Sequence, residues 1–300
     1  MDSALREAFL NKTGLSTVRA AWIGGSATYG TRCPEDVDSS IEVVPLGGFA
    51  TPFGESYPLK LLYVEGQPVL RVRMHGWHRN NPALDYSHSL QVFYVFRELG
   101  VEQVLVDASV GGITAKPWDI VIPDDFVPLD HVTRYEARRF AGVVGVRRQV
   151  RLADDTRPRL RESLIEVVGA SRALLPADSQ LRRRGVYFHT PLGPFETPAE
   201  IRAYRALGAD VVGQTLAMEA MLARLNRMCL ATLDVVANYA EGLEGGEWVK
   251  GGMDEFYARC AVPLAKVCLR ALARSVHQER DCHCADLAGT VDGVARFPVE

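Results

Sequence analysis

The 300-residue sequence predicts an α/β fold: one domain over residues 1–300, a mixed, twisted central sheet flanked by helices, and a tail at 281–300. Three observations predict it. Short apolar runs of strand length alternate with longer amphipathic patterns of helical period. The stretch from Gly185 to Asn238 reads strand, helix, strand, and leaves polar residues at strand ends, where α/β proteins place their sites. No proline-rich, glycine-serine or charged linker separates a front half from a back half.

In chain order, Val18–Ile23 reads as a buried strand that breaks at Gly24-Gly25-Ser26. Paired glycines and a hydroxyl there let backbone N–H groups approach an anion, and an ordinary tight turn fits equally well. Apolar runs at Ile41–Val44, Leu61–Val64 and Val69–Val72 predict strands between glycine turns, ending at His75-Gly76-Trp77-His78. These two histidines have the chemistry of general acids, of anion donors or of plain loop residues. Asp85–Leu99 predicts a helix stopped by Gly100, and Gln103–Asp107 a strand running into a small-residue turn, Ala108-Ser109-Val110-Gly111-Gly112. Pro117–Phe126 predicts one short strand bounded by prolines, and Arg159–Leu174 a helix.

Thr197-Pro198-Ala199-Glu200 is a capping box with proline at the first helical position, followed by an apolar stripe at Ile201, Tyr204 and Leu207 and a stop at Gly208. A run at Asp210–Gly213 passes through Gln214-Thr215 into a helix carrying Met218, Met221, Leu222 and Leu225 on one face. Cys229–Val236 predicts a strand buried on both faces that delivers Asn238 to its end. After a glycine-rich loop at 242–252, Met253–His277 predicts an amphipathic helix kinked or broken at Pro263.

Charge excludes some functions. Lysine and arginine number 34 against 37 acidic residues, a net charge of −3, with no basic stripe for nucleic acid. Arg182-Arg183-Arg184 reads as a solvated loop. No apolar run has the length of a bilayer span and the first twenty residues lack a signal-peptide core, so a cytoplasmic protein is expected. The six cysteines lie at 33, 229, 260, 268, 282 and 284. Cys282-His283-Cys284 is the one tight cluster; without a second ligand pair it reads as two reduced thiols in a tail, and Asp124-Asp125 as solvated carboxylates, so no metal is expected.

Several motifs in order carry a resemblance: Phe195-Glu196-Thr197, Ala199-Glu200, Arg202, Gly208–Gly213, Thr215 and Asn238-Tyr239-Ala240, with Pro117–Phe126 similar to P-G-D-I-V-I-P-D-x-F. Together they resemble the trimeric purine nucleoside phosphorylase and methylthioadenosine phosphorylase family over residues 18–280, most weakly at 130–180. The resemblance implies a nucleoside phosphorylase-like fold and cleavage of a purine nucleoside by inorganic phosphate, giving free base and ribose 1-phosphate. Phosphate is then a co-substrate, no further cofactor is implied, and the implied assembly is a homotrimer or a dimer of trimers.

The same resemblance assigns phosphate and ribose to Gly25, Ser26, His75, His78, Ser109 and Thr215, with His75 and Asn238 the catalytic pair. Ala108 and Gly111 would cradle phosphate and base, Phe195 would pack on the base, and Gln214 would face the ribose, where the family usually has methionine. Asn238 would hydrogen-bond N7 of the leaving base, and with Glu196 it resembles the pair of members that prefer 6-oxopurines. The 5′ substituent stays open, although the front-half motifs lean to the methylthioadenosine branch. The chain departs from the family where Met74 stands in an arginine position and the histidine loop is one residue shorter, so that His78 matches only across a gap; Arg71, Arg73 and Arg79 are candidates for the missing charge. Two further readings stay open: a nucleoside hydrolase that uses water, and a repurposed member that performs no phosphorolysis.

Overall fold

The apolar runs assemble because a strand apolar on both faces is covered only when helices pack on either side of its sheet. The computed structural model describes residues 2–29, 31–75, 86–145, 148–149, 159–176, 179–243, 252–278, 280, 282–286 and 288–289. The first half contains α1 (Ser3–Thr13), β1 (Ala20–Gly24), β2 (Glu42–Gly47), β3 (Ala50–Thr51), β4 (Gly54–Glu55), β5 (Leu59–Val64), β6 (Gln67–Arg73), α2 (Ser87–Glu98) and β7 (Gln103–Gly112). Next come β8 (Ile120–Val121), β9 (Asp125–Pro128), α3 (His131–Val144), β10 (Arg148–Gln149), α4 (Arg159–Ala170), β11 (Leu181–Arg182) and β12 (Val186–His189). The chain closes with α5 (Pro198–Ala206), β13 (Val211–Gly213), α6 (Leu216–Leu225), β14 (Cys229–Tyr239), α7 (Gly252–Val276) and β15 (Ala288–Gly289).

Eleven strands form one mixed sheet with the path β11-β8-β14-β7-β1-β6-β5-β2; β13 joins β7, and β12 and β9 follow from it. Its centre is parallel: β1 lies between β6 and β7, and β7 pairs with β14. Carboxyl ends of four neighbouring strands therefore open on one edge, the usual ligand edge of an α/β sheet. One core buries α1, α2, α3 and α6 residues such as Phe9, Phe93, Phe140 and Met221 against one sheet face. The other covers the opposite face with α4 and α7, through Leu164, Leu264 and Cys268. The capping box closes as the sequence predicts, with Thr197 Oγ1 accepting from Glu200 N–H and the Glu200 carboxylate accepting from Thr197 N–H.

Several expectations are corrected. Ala108–Gly112 is not a turn: β7 runs on to Gly112, paired with β14 on one side and β13 on the other. Its glycines mark close backbone approach, since a Cβ on Gly112 would lie 2.2 Å from the Ala115 carbonyl oxygen. Pro117–Phe126 splits into β8 and β9, which pair with different neighbours. The helix at 159 ends at Ala170 and continues as a 3-10 turn at Arg172–Leu174. α7 runs unbroken through Pro263, because Cys260, Leu264, Val267 and Ala271 anchor both sides of the proline in the core.

Arg182 is half-buried, drawn in by Asp119, whose carboxylate is 2% exposed and sits 3.2 Å from the Arg182 Nε. Arg183 and Arg184 are exposed, as expected of a loop. Among the described residues of the tail, His283–Asp286 forms a 3-10 turn, Cys284 is fully buried, and β15 pairs with β10. α1 had no counterpart in the sequence reading; Asp2 caps it by accepting from Leu5 N–H, and Leu5 and Phe9 anchor it.

Candidate active site

The sheet's carboxyl edge opens into a cleft of about 270 Å³. Ser26 enters it just after β1, His75 after β6, Ala108, Ser109 and Gly111 from β7, and Asn238 from β14. Phe195 and Glu196 reach it from the segment before α5, and Gln214 and Thr215 from the link between β13 and α6. Gly25 lies against His75 and the Asp107 carbonyl and is not among the residues that line the cleft. His78 and Arg79 lie outside the described residues.

The inner end is built from mutually bonded groups, with Ser26, Ser109 and Tyr257 half-buried and His75 and Asp107 buried behind them. Ser26 Oγ accepts from the Ser109 N–H at 2.8 Å and from the Ser109 hydroxyl at 2.7 Å, and Ser109 Oγ lies 3.1 Å from the Tyr257 hydroxyl. Gly25 is required by close approach: a Cβ there would stand 1.8 Å from the Asp107 carbonyl oxygen and 2.3 Å from His75 Nδ1. Asp107 holds the loop from behind, accepting from Trp22 Nε1 at 2.9 Å, Thr28 N–H at 3.0 Å and the Thr28 hydroxyl at 3.1 Å. Burial raises the Asp107 pKa, and the charges of Arg71 and His75 oppose the rise.

His75 is the pivot. Its Nε2 lies 2.5 Å from Oε1 of Glu219, a carboxylate 1% exposed on α6. Burial alone drives an imidazole pKa down, but the Glu219 charge and hydrogen bond, with Asp107 and Asp234 behind, reverse this and leave it raised above 6.5. With Nε2 committed to Glu219, Nδ1 faces the Gly25 loop. Protonated, it presents an N–H there; neutral, it presents a lone pair. Among the described residues that line the cleft, His75 is the one side chain able to carry positive charge.

The departure at Met74 takes a different form from the one its position suggested. Met74 is 1% exposed and packed in the core, so its side chain leaves the cleft altogether. Arg71 and Arg73 do not replace the missing charge in the cleft: Arg71 is buried against the Trp22 ring, 4.5 Å from its centroid. Arg73 donates to the Tyr29 carbonyl and covers the Tyr29 ring.

The outer end is looser. Phe195 is 68% exposed and Glu196 accepts from the Thr190 hydroxyl at 2.5 Å. Asn238 is half-buried, with Nδ2 donating to the Tyr239 carbonyl at 2.7 Å. A bulge between Val236 and Asn238 shifts the register of β14 against β7 and aligns Asn238 with Gly111. Thr215 is fixed through its backbone, the N–H donating to the Tyr187 hydroxyl at 3.2 Å.

Sequence reasoning missed Glu219, Asp107 as a loop anchor, Tyr257 and Glu241. Glu219 carried one available signal, a lone carboxylate on the otherwise apolar face of Met218, Met221 and Leu222. Tyr257 belongs to a helix remote in sequence, and nothing local announces its contact with Ser109.

Similarity to known proteins agrees with this geometry. The chain matches the phosphorylase superfamily over residues 59–273. It is 31% identical over 275 residues to the 6-oxopurine nucleoside phosphorylase of Pyrococcus furiosus, covering 89% of this chain and 97% of that protein. It is 32% identical over 275 residues to the S-methyl-5′-thioadenosine phosphorylase of Pyrococcus horikoshii, covering 90% and 97%. The crystal structure of a methylthioadenosine phosphorylase from an antarctic soil metagenomic library has the same fold, with a TM-score of 0.70 over 91% of each chain at 21% identity.

Proposed function

The chain belongs to the phosphorylase superfamily, and from that membership we propose that it is a pentosyltransferase that cleaves the N-glycosidic bond of purine nucleosides with phosphate. The C1′–N9 bond breaks with its electron pair going to the purine, a phosphate oxygen bonds to C1′, and the products are free base and sugar 1-phosphate. Positive charge grows on the sugar and negative charge on the base, so the site must hold an anion below C1′ and donate to the purine. No covalent enzyme intermediate is needed and no cofactor enters; phosphate is the co-substrate.

The observation that carries this reading is the convergence, in one cleft, of the Ser26–Ser109 hydroxyl pair, His75 backed by Glu219, and Asn238 with Glu196. The first two suit phosphate and the third suits a purine. Protonated His75 supplies the charge-assisted bond that a phosphate needs on leaving water, in place of the arginine absent at Met74. Asn238 holds N7, and the Glu196–Asn238 pair, which resembles that of family members preferring 6-oxopurines, favours them only moderately, because an amide can present either donor or acceptor. The 5′ subsite takes a hydroxyl or a methylthio group.

A homotrimer is supported by an apolar face left open around α3. Val132, Tyr135 and Val143 are each at least 46% exposed and fall on one side of the helix at its period, and Leu129, just before its N-cap, is 60% exposed.

The test is base release from inosine, guanosine, adenosine and their 5′-methylthio forms, each with and without phosphate. Release that requires phosphate and yields a sugar 1-phosphate is expected. Equal release without phosphate, with free sugar as product, would establish the hydrolase instead.

A further inference from the structure

We propose that Cys229, Cys282 and Cys284 form a binding site for a thiolate-preferring d10 cation of the zinc class, fastening the C-terminal segment to the sheet. This inference is independent of the reading of the cleft. The three sulfurs lie within 4.8 Å of one another. Cys229 is the first residue of β14, whereas Cys282 and Cys284 flank His283 at the start of the 3-10 turn beyond α7. The sequence hid the trio because 53 residues separate Cys229 from Cys282. Cys33, and Cys260 and Cys268 on α7, are by contrast packed as small apolar groups in the core.

Distances leave two chemistries for such a trio. The Cys229 and Cys282 sulfurs are 2.9 Å apart. A disulfide would bring them to about 2.05 Å, and two thiolates on a tetrahedral zinc, with Zn–S near 2.3 Å, would sit about 3.8 Å apart. Either needs a shift of under about 1 Å. Two features favour the cation. A disulfide uses two sulfurs and strands the third, whereas a cation uses all three. Three thiolates around a divalent ion leave one negative charge in a mostly buried place, and such a charge must be paired. Arg280 lies beside Cys282 and the largely buried Arg224 lies near Cys284, so positive charge is at hand. Cys282 is only half-buried, which leaves room for water as fourth ligand.

Position argues for a fastening role. The trio sits at the amino end of β14 and Asn238 at the carboxyl end, nine residues on, or roughly 30 Å at strand rise. Just past the trio, β15 pairs with β10, so a cation here would hold both segments against the sheet.

The experiment uses the full chain, reduced, freed of metal by chelation and titrated with Co(II) and then Zn(II). About one equivalent of Co(II) should bind with thiolate charge-transfer and tetrahedral absorption bands, and Zn(II) should displace it. Cys282→Ser and Cys284→Ser should each weaken binding at least about tenfold. The half-buried position of Cys282 lets serine fit there without opening a core cavity. Chelation should lower the Tm of the wild-type chain and leave both variants unchanged. Absence of the cobalt spectrum from the reduced wild-type chain would overturn the proposal. So would a chain purified without reductant whose denatured free-thiol count is two below the six in the sequence and whose missing pair maps to this trio.

Discussion

The two ends of the cleft are built on different principles. The inner end hangs from strand ends and is locked: Ser26 to Ser109, His75 to Glu219, and the loop to Asp107. The outer end depends on Phe195, which is 68% exposed, and on Asn238 at a bulge. Under the proposed function the inner end faces a requirement that never changes, to strip water from an anion and hold it below C1′. Under the same proposal the outer end faces a requirement that varies, which base and which 5′ group to accept. Preorganisation is therefore concentrated where the chemistry is constant, and adaptability where specificity is set.

The largest expected effect lies in the locked half. Gly25→Ala places a methyl where the Asp107 carbonyl and His75 already stand, so the loop and the imidazole must move together. Displacement of catalytic groups on this scale costs on the order of a hundredfold, and kcat/KM for phosphorolysis should fall by at least that much. A fall of less than tenfold would show that the inner end is not rigid.

Glu219→Gln comes next. It keeps size and one hydrogen bond but removes the charge that raises the His75 pKa. Loss of a charge-assisted bond of about 1.5–3 kcal/mol should raise the phosphate KM roughly tenfold to a hundredfold, with the nucleoside KM nearly unchanged. Equal rises in both KM values would make Glu219 a general structural residue.

In the looser half the effects should be smaller and shift selectivity. Asn238→Ala should lower kcat more than it raises the nucleoside KM, because the bond to N7 strengthens as charge builds on the base. Asn238→Asp should move preference toward 6-aminopurines, since a protonated carboxyl can donate to N7 while its other oxygen accepts from the amino group. An unchanged kcat in the alanine variant would remove Asn238 from the leaving-group role.

The contrast between the ends also explains what the sequence revealed. Thr197–Glu200 and the apolar stretch of β14 were legible because capping and burial act through neighbours in the chain. Ser26, His75, Ser109 and Asn238, which the family resemblance singles out, line one cleft at or near strand ends. Ala108–Gly112 misread as a turn because glycine signals both a turn and close packing, and only the partner strands β13 and β14 decide between them. Met74 read as a gap in the anion site because position alone does not say which way a side chain at a strand end points; this one points into the core. The partners of Glu219, the anchoring role of Asp107 and the cysteine trio were illegible for one shared reason. Each acts across a contact between elements far apart in sequence.

The smallest effect concerns Asp234, buried in the middle of β14 with Oδ2 unpartnered. Burial pushes its pKa up from 3.8 to about 7, against the Thr232 hydrogen bond and assisted by the Glu219 charge. The folded state thus holds this proton more tightly than the unfolded chain does. Stability from this group falls as pH rises from about 4 to about 7 and levels off above. Asp234→Asn should remove that slope, raising the Tm by a few degrees at pH 8 relative to wild type and leaving it nearly unchanged near pH 4. A lower Tm at both pH values would mean that the carboxyl is needed for more than its charge.

The most direct test of the central claim, that Glu219 holds His75 protonated to bind phosphate, is the phosphate KM measured across pH in wild type and Glu219→Gln. Phosphate's own titration is common to both proteins, so the difference reports on the imidazole. His75 has a raised pKa in the wild type; its N–H toward the anion is present below that value and lost as pH rises through it. The wild-type KM should stay low below the raised imidazole pKa and climb as pH passes through it. In the variant, where burial acts without the opposing carboxylate, the same climb should begin at lower pH. Two profiles with the same pH dependence, merely offset or superimposed, would contradict the claim.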